Sequence, residues 1–224
     1  MIKILQVITD TNFGGAGAWL LNYLRSADRE KYDITVALPQ NSVLKERVAS
    51  LGVKVSEVDG IADSSFSVKG VFSFIGLMRT LRPDIVHTHS SLSARIAAKA
   101  LGIKTVNTRH CLEEKKSFPK SVVYKLVNNA LSDASIGVSE AVANNLKQDG
   151  IKDKKRFLVY NGIFPLKPIS AQKKLSIRES LGFSKDDVIA GMVARLEPVK
   201  NHDVFLNAAK TNFKMAYKQF SGVI

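Results

Sequence analysis

From its first residues the chain alternates apolar runs with amphipathic stretches, and that rhythm leaves few folds open. Ile2–Thr9, Tyr32–Ala37, Val53–Val58, Ile85–Thr88, Lys104–Thr108, Ala134–Val138 and Phe157–Tyr160 read as strands. Between them, Ala16–Arg25, Val43–Leu51, Val68–Leu81, Ser91–Leu101, Ser121–Ser132 and Ser139–Asp149 carry a helical period. Gly52, Gly102 and Gly150 stand where a left-handed C-cap is wanted, and Arg82-Pro83 stops the third helix. Strands apolar on both faces must be covered on both, which requires a parallel sheet between helical layers. Right-handed crossovers then predict a doubly wound, Rossmann-like α/β domain. Its ligand sites should lie beyond the carboxyl ends of the strands.

That domain is expected over residues 1–163. Residues 164–183 read as a linker with Pro165, Pro168 and a short helix, Leu175–Leu181, stopped at Gly182. Asp187–Val193 reads as a new strand and Asn201–Lys210 as the start of a new helix, the opening of a second Rossmann-like domain over residues 184–224. Such a domain takes roughly 100 residues, so the second domain is expected to be truncated and its strand to lack neighbours. From Asp203 onward, Phe205, Ala209, Phe213, Ala216 and Phe220 recur at helical steps and are expected to cover apolar surface on the first domain.

Charge narrows the partners. The 33 Lys and Arg outnumber the 20 Asp and Glu, a formal charge of +13. A basic surface attracts nucleic acid, anionic lipid or phosphorylated small molecules. Zinc spacing, an RNA-binding aromatic signature and a run of five basic residues are all absent, so no nucleic-acid partner is expected. The single cysteine, Cys111, rules out an internal disulfide and suits a reducing cytosol. The N-terminus lacks the pattern of a signal peptide. The longest apolar stretch, Val71–Met78, is broken by Ser73 and Gly76 and falls short of the about 20 residues that span a bilayer. A cytoplasmic protein is expected. Glu113–Leu131 interleaves Lys115, Lys116, Lys120 and Lys125 with Phe118, Val122, Val123, Tyr124 and Leu126. That pattern can rest on an anionic membrane surface at the inner face, although an ordinary helix with a solvated basic face shares it and is preferred.

Three segments could carry chemistry. In Thr11-Asn12-Phe13-Gly14-Gly15-Ala16-Gly17, glycines before a helix let the backbone approach an anion, and the helix terminus adds about half a positive charge. The turn is neither the dinucleotide fingerprint nor a P-loop, and a plain tight turn would also use glycine. His110 follows a strand on the ligand side and can bond a substrate hydroxyl; by itself it reads better as a surface-loop histidine. His87 and His89 share one strand face, but no third ligand has convincing spacing, so no metal is expected. Arg195 and Lys200, after the strand Val188–Val193, suit a phosphate clamp. The alternative there is a plain loop in which Glu197 pairs with one of the bases.

Taken in order, Gly14-Gly15, Pro83–His89, Val106–His110, Val138-Ser139-Glu140, Val159–Ile163 and Val193–Asn201 resemble the retaining GT-B glycosyltransferases of family 4, group 1 type, from about Met1 to about Ala209. The resemblance implies two facing Rossmann-like domains, the N-terminal one for the acceptor and the C-terminal one for a nucleotide-sugar. It implies that Gly14 and Gly15 approach the donor diphosphate, that His110 contacts the donor sugar, and that Arg195 and Lys200 stabilise the departing diphosphate without a metal or other cofactor. Asn12, His89 and Asn161 are implied as acceptor or sugar contacts. Implied partners are a nucleotide-sugar and a saccharide or lipid-linked acceptor; a dimer mate or separate donor-binding chain is a further expectation that follows from the incomplete donor site. Cys111 departs from the glycine usual after the histidine. The family's two glutamates seven residues apart, and its base- and ribose-binding strands, have no counterpart. Little turnover is therefore expected of the chain alone. A non-catalytic acceptor-binding module and a sugar-nucleotide epimerase are the alternatives.

Overall fold

The computed structural model describes residues 1–113 and 120–212. Seven strands, β1 (Ile2–Val7), β2 (Tyr32–Pro39), β3 (Lys54–Val58), β4 (Ile85–Thr88), β5 (Lys104–Arg109), β6 (Ala134–Gly137) and β7 (Arg156–Leu158), form one sheet in the order β3-β2-β1-β4-β5-β6-β7. Every pairing is parallel. Helices α1 (Gly15–Ser26), α2 (Leu44–Ala49), α3 (Val68–Leu81), α4 (Leu92–Ala100), α5 (Lys120–Leu131) and α6 (Glu140–Gln148) connect the strands. The chain leaves β1 toward β2 and leaves β4 toward β5, in opposite directions. The seam between β1 and β4 is thus the topological switch point, where ligands sit in such sheets.

The two-residue strand period builds two cores. On β1, Ile4 and Ile8 join Leu20, Leu24, Val36, Leu44 and Val48 under α1 and α2. Leu5 and Val7 point the other way and meet Phe74, Met78, Val86 and three alanines, Ala94, Ala97 and Ala98. The alanines let α4 lie close to both the sheet and α3. Serine caps set where helices start: Ser67, Ser91 and Ser139 each accept a bond through Oγ from the backbone N–H three residues on. Each such cap contributes about 1 kcal/mol. Helix α3 ends with Arg82 in the left-handed region at φ 48°, directly before Pro83.

Boundaries match the sequence pattern to within a few residues over Met1–Pro165, one of two compact units; the other is Leu166–Ile224. In the second unit two expectations need correction. The short helix expected at Leu175–Leu181 is present but starts earlier: α7 spans Ala171–Ser180 because Ser170 caps it, accepting from Lys173 N at 3.2 Å. The expected strand at Asp187–Val193 does not form. A strand exists only by pairing, and among the described residues nothing pairs with this segment. Its Val188 and Val193 are about nine-tenths exposed. Helix α8 (His202–Asn212) follows Asn201, itself left-handed at φ 53°. Phe213, Ala216 and Phe220 lie outside the described residues, as do Lys115, Lys116 and Phe118. Among the described residues no helix is long and apolar enough to cross a membrane.

Close packing makes one glycine structural. A Cβ at Gly137, the end of β6, would sit 2.6 Å from the backbone N and 2.8 Å from the Cα of Ala143 in α6. Gly137→Ala should destabilise the chain by about 1–3 kcal/mol. The expected signature is a lower urea midpoint at an unchanged m-value; an unshifted midpoint would show that α6 moves freely.

Candidate active site

The strand-to-helix turn after β1 is anchored from outside itself. Asp63, left-handed at φ 49°, accepts from Thr11 N at 2.9 Å and from Thr11 Oγ1 at 2.6 Å. These bonds hold the Asp63 carboxyl below the usual carboxylate range. Asn12 and Phe13 are exposed in this turn, Phe13 under the Arg47 guanidinium. Gly14 caps α1 in extended conformation with no side-chain bond, so no side chain occupies the helix's first-turn N–H groups. A Cβ at Gly14 or Gly15 would meet nothing within 4 Å, and neither residue has a positive φ. Packing and turn geometry therefore do not demand glycine at either position. Gly17 differs, since its Cβ would lie 3.1 Å from Leu44. What Gly14 and Gly15 provide is bare backbone at a helix N-terminus.

One helical turn further along α1, Trp19 covers three imidazoles. Its ring centroid lies 4.8 Å from that of His89 and 5.7 Å from those of His87 and His110. Tyr23 stacks on its far side at 5.2 Å. The imidazoles stack in turn, His87 on His89 at 4.9 Å and His89 on His110 at 5.1 Å. They join one hydrogen-bond chain through Gln6 of β1. The Gln6 Nε2 donates to His87 Nδ1 at 3.1 Å, and His87 Nε2 donates to Thr108 Oγ1 at 2.7 Å. His89 Nε2 donates to Gln6 Oε1 at 3.2 Å, and His110 Nε2 donates to His89 Nδ1 at 2.8 Å. One amide orientation thus sets every tautomer, and neutral His110 keeps Nδ1 as an acceptor.

Burial keeps these rings uncharged. It pushes His87 down to about 4, helped by His110. It pushes His89 well below its usual value, helped by His87 and His110, and lowers His110 by desolvation. At neutral pH the array is a set of polar but neutral groups at the switch point, suited to bonding hydroxyls and tolerant of an anion nearby.

The structure unites His89 and His110 directly, and carries Gly14 and Gly15 on the helix that holds Trp19. His110 is half-buried, not a free surface histidine. Asn161 is exposed beyond β7, next to Tyr160, whose hydroxyl donates to Glu140 at 3.2 Å. Arg195 and Lys200 belong to the second unit. There Arg195 pairs with Glu197 at 2.8 Å, and His202 Nε2 donates to the Arg195 carbonyl at 2.8 Å. Lys200 is exposed on the turn Pro198–Lys200. Among the described residues no three His, Cys, Asp or Glu side chains are grouped to hold a metal ion. Sequence reading passed over Gln6, Trp19, Thr108 and Tyr23. Gln6 had a signal, being one polar residue inside the apolar run Ile4–Ile8. Trp19 had none, since an aromatic on an apolar helix face reads as core.

By fold the chain has the Rossmann-like architecture of GT-B enzymes. It belongs to glycosyltransferase family 4, whose model matches residues 13–165. A galactosyltransferase of Escherichia coli, named as acting from UDP-Gal on α-D-GlcNAc-diphosphoundecaprenol, is 28% identical over 93% of this chain and 57% of its own length. The structure of HepE from Anabaena with UDP and glucose overlays with a TM-score of 0.78 at 20% identity, over 94% of this chain and 58% of that one. A structure assigned to the UDP-N-acetylglucosamine 2-epimerases, from Listeria monocytogenes, reaches only 0.51 at 16% identity, over 70% of this chain and 43% of that one. The chain thus spans a little over half the length of the galactosyltransferase and of HepE.

The imidazole array makes stability depend on pH in a defined direction. Histidines unfold to a pKa near 6.5 but are held lower when folded, so the unfolded state takes up more protons as pH falls. For His87 the stabilisation is present above pH about 6.5 and is lost toward pH about 4, by up to about 1.4 kcal/mol per pH unit, and His89 and His110 act in the same direction. Urea midpoints should fall steadily across that window, and less steeply in His110→Gln. A flat profile would rule out a neutral array.

Proposed function

We propose that this chain is the acceptor-side part of a GT-B glycosyltransferase. It moves a sugar from a nucleotide-sugar to a saccharide or lipid-linked acceptor in the synthesis of cell-surface polysaccharide. The observation that carries this reading is the pairing of two glycines that the fold does not itself require with a neutral imidazole array at the switch point. Bare N–H groups at the start of α1 suit the donor diphosphate. His110, neutral and oriented by His89, suits a sugar hydroxyl, with Asn12 and Asn161 as outer polar contacts. Arg195 and Lys200 then serve as the cations for the departing diphosphate, which needs no metal in this scheme. Arg195 would exchange Glu197 for phosphate. The names of the relatives support a UDP-sugar donor and a diphosphate-linked acceptor. The exposed Val122, Val123 and Leu126 of α5 support contact with an anionic membrane surface at the cytoplasmic face.

The test is transfer from UDP-, GDP- and ADP-sugars by this chain alone and by this chain joined to the C-terminal domain of the Escherichia coli relative. We expect transfer only from the joined chain. His110→Ala should lower it about 10- to 100-fold, the effect of one buried hydrogen bond to substrate. Gly15→Ala should raise the donor KM while leaving Tm within a degree or two. Rapid transfer by the chain alone would overturn the division into halves, and an active His110→Ala would remove the role given to the imidazole.

A further inference from the structure

On the face of β5 opposite the imidazoles lies a second polar constellation that the proposed transfer chemistry does not use. Thr108 and His110 face Trp19; Asn107 and Arg109 alternate with them and face α4, α5 and α6. There a cavity of about 290 Å³ opens at the ligand edge of the sheet, lined by Arg95, Asn107, Arg109, Tyr124, Val127 and Asn128, with Glu113 at its wall. A smaller cavity of about 180 Å³ lies at the opposite, amino-terminal edge of the strands, beside Lys3, Asp33 and Pro83, where such sheets do not bind ligands.

The two buried arginines in the larger cavity are treated differently. Arg109 is ion-paired with Asp149, lies 3.4 Å from Glu113, and donates to Asn145 at 2.9 Å. Glu113 is further occupied by the Tyr124 hydroxyl. Arg95 has only neutral partners: its Nη1 donates to Asn128 Oδ1 at 2.9 Å and to Ser132 Oγ at 3.3 Å. Among the described residues no carboxylate lies within ion-pair distance of it. Burial pulls its guanidinium below the usual value, against the opposing pull of Tyr124 and Glu113. The Nε of Arg95, the Nε of Arg109 and the Nδ2 of Asn128 are all buried without a hydrogen-bond partner among the described residues. Arg109 Nε still has a Glu113 carboxylate oxygen at 3.4 Å, so the donor left fully open on a cation is Arg95 Nε. A buried cation with an open donor and no carboxylate partner is costly unless an anion accompanies it. Bidentate guanidinium geometry matches an oxyanion, and the cavity is near the small end of the about 300–1,000 Å³ typical of ligand sites.

The rim adds a second property. Val127 is about one-third exposed at the cavity wall, and from it α5 carries the exposed Val122, Val123 and Leu126; Phe66, next to the lining Ser65, is half exposed. A charged pocket thus opens beside apolar surface.

We propose that this cavity binds the phosphate or diphosphate group of the acceptor, with Arg95 as its cation. The word acceptor rests on the transferase reading above; the anion site is tested without it. Calorimetry at fixed ionic strength on this chain would use inorganic pyrophosphate and geranyl diphosphate as probes. Pyrophosphate should bind, and Arg95→Met should weaken it at least tenfold. Because Arg95→Met also removes two donated bonds, Val127→Glu serves as the second variant: it places a carboxylate on the exposed wall without touching the core, and should weaken binding at least tenfold as well. Tighter binding of geranyl diphosphate than of pyrophosphate would identify a lipid-linked source of the group. Equal affinities would identify a water-soluble phosphosugar; either result supports the site. Absence of pyrophosphate binding, or binding that neither substitution weakens, would overturn it. The second outcome would place the anion elsewhere, at the start of α1 or on the basic surface. Either failure leaves the transfer measurements of the joined chain untouched.

Discussion

The parallel pairing of β1 with β4 is the constraint on which the rest depends. Parallel strands need crossover connections, and crossovers from these two strands depart in opposite directions. No connection can therefore cover the carboxyl end of the seam between them. The polar groups carried by the strands lie within a residue or two of that edge. Gln6 lies on β1, His87 and His89 lie on and just beyond β4, and Thr108, Arg109 and His110 close β5. The glycine turn leaves β1 at the same edge and begins the helix that roofs the histidines.

Two solutions to the same problem sit back to back across β5. On one face, buried polar rings satisfy one another: a single amide, Gln6, accepts at one end and donates at the other, and three imidazoles stay neutral under an indole. Nothing in that chain is charged, so the environment is polar without the desolvation penalty of an ion. On the other face, Arg95 remains charged and lacks a carboxylate partner among the described residues. The first network is closed on itself, whereas the second leaves a buried guanidinium with neutral partners at a cavity wall. The alternation of side chains along one strand separates the two by about a sheet's thickness.

The second unit shows what pairing contributes to a strand. Asp187–Val193 has the composition of a buried strand, yet it stays outside any ladder, with its valines in solvent. Apolar, β-branched sequence describes a residue that fits a sheet; it does not supply the neighbouring strand whose N–H and C=O groups make one. Helices close their bonds within themselves, so α7 and α8 form in the same unit where the strand does not.

The sequence by itself determined the layer architecture. Period-two and period-3.6 patterns, glycine stops and serine caps are local signals, and each acts through residues a few positions apart. They gave the order and type of every strand and α-helix over Met1–Pro165, and they marked Gly14, Gly15 and His110. Only the tertiary structure decided what those residues meet. The Gln6 amide joins histidines 81 and 83 positions away, Trp19 turns from core residue to roof, and Arg95 finds Asn128 and Ser132 across a helix pair. It also decided that Gly14 and Gly15 are not demanded by packing, whereas Gly137 is. The reason is physical: propensity and capping are settled within a turn or a strand, whereas proximity between distant strands, burial and the pairing of charges exist only once crossovers bring their ends together.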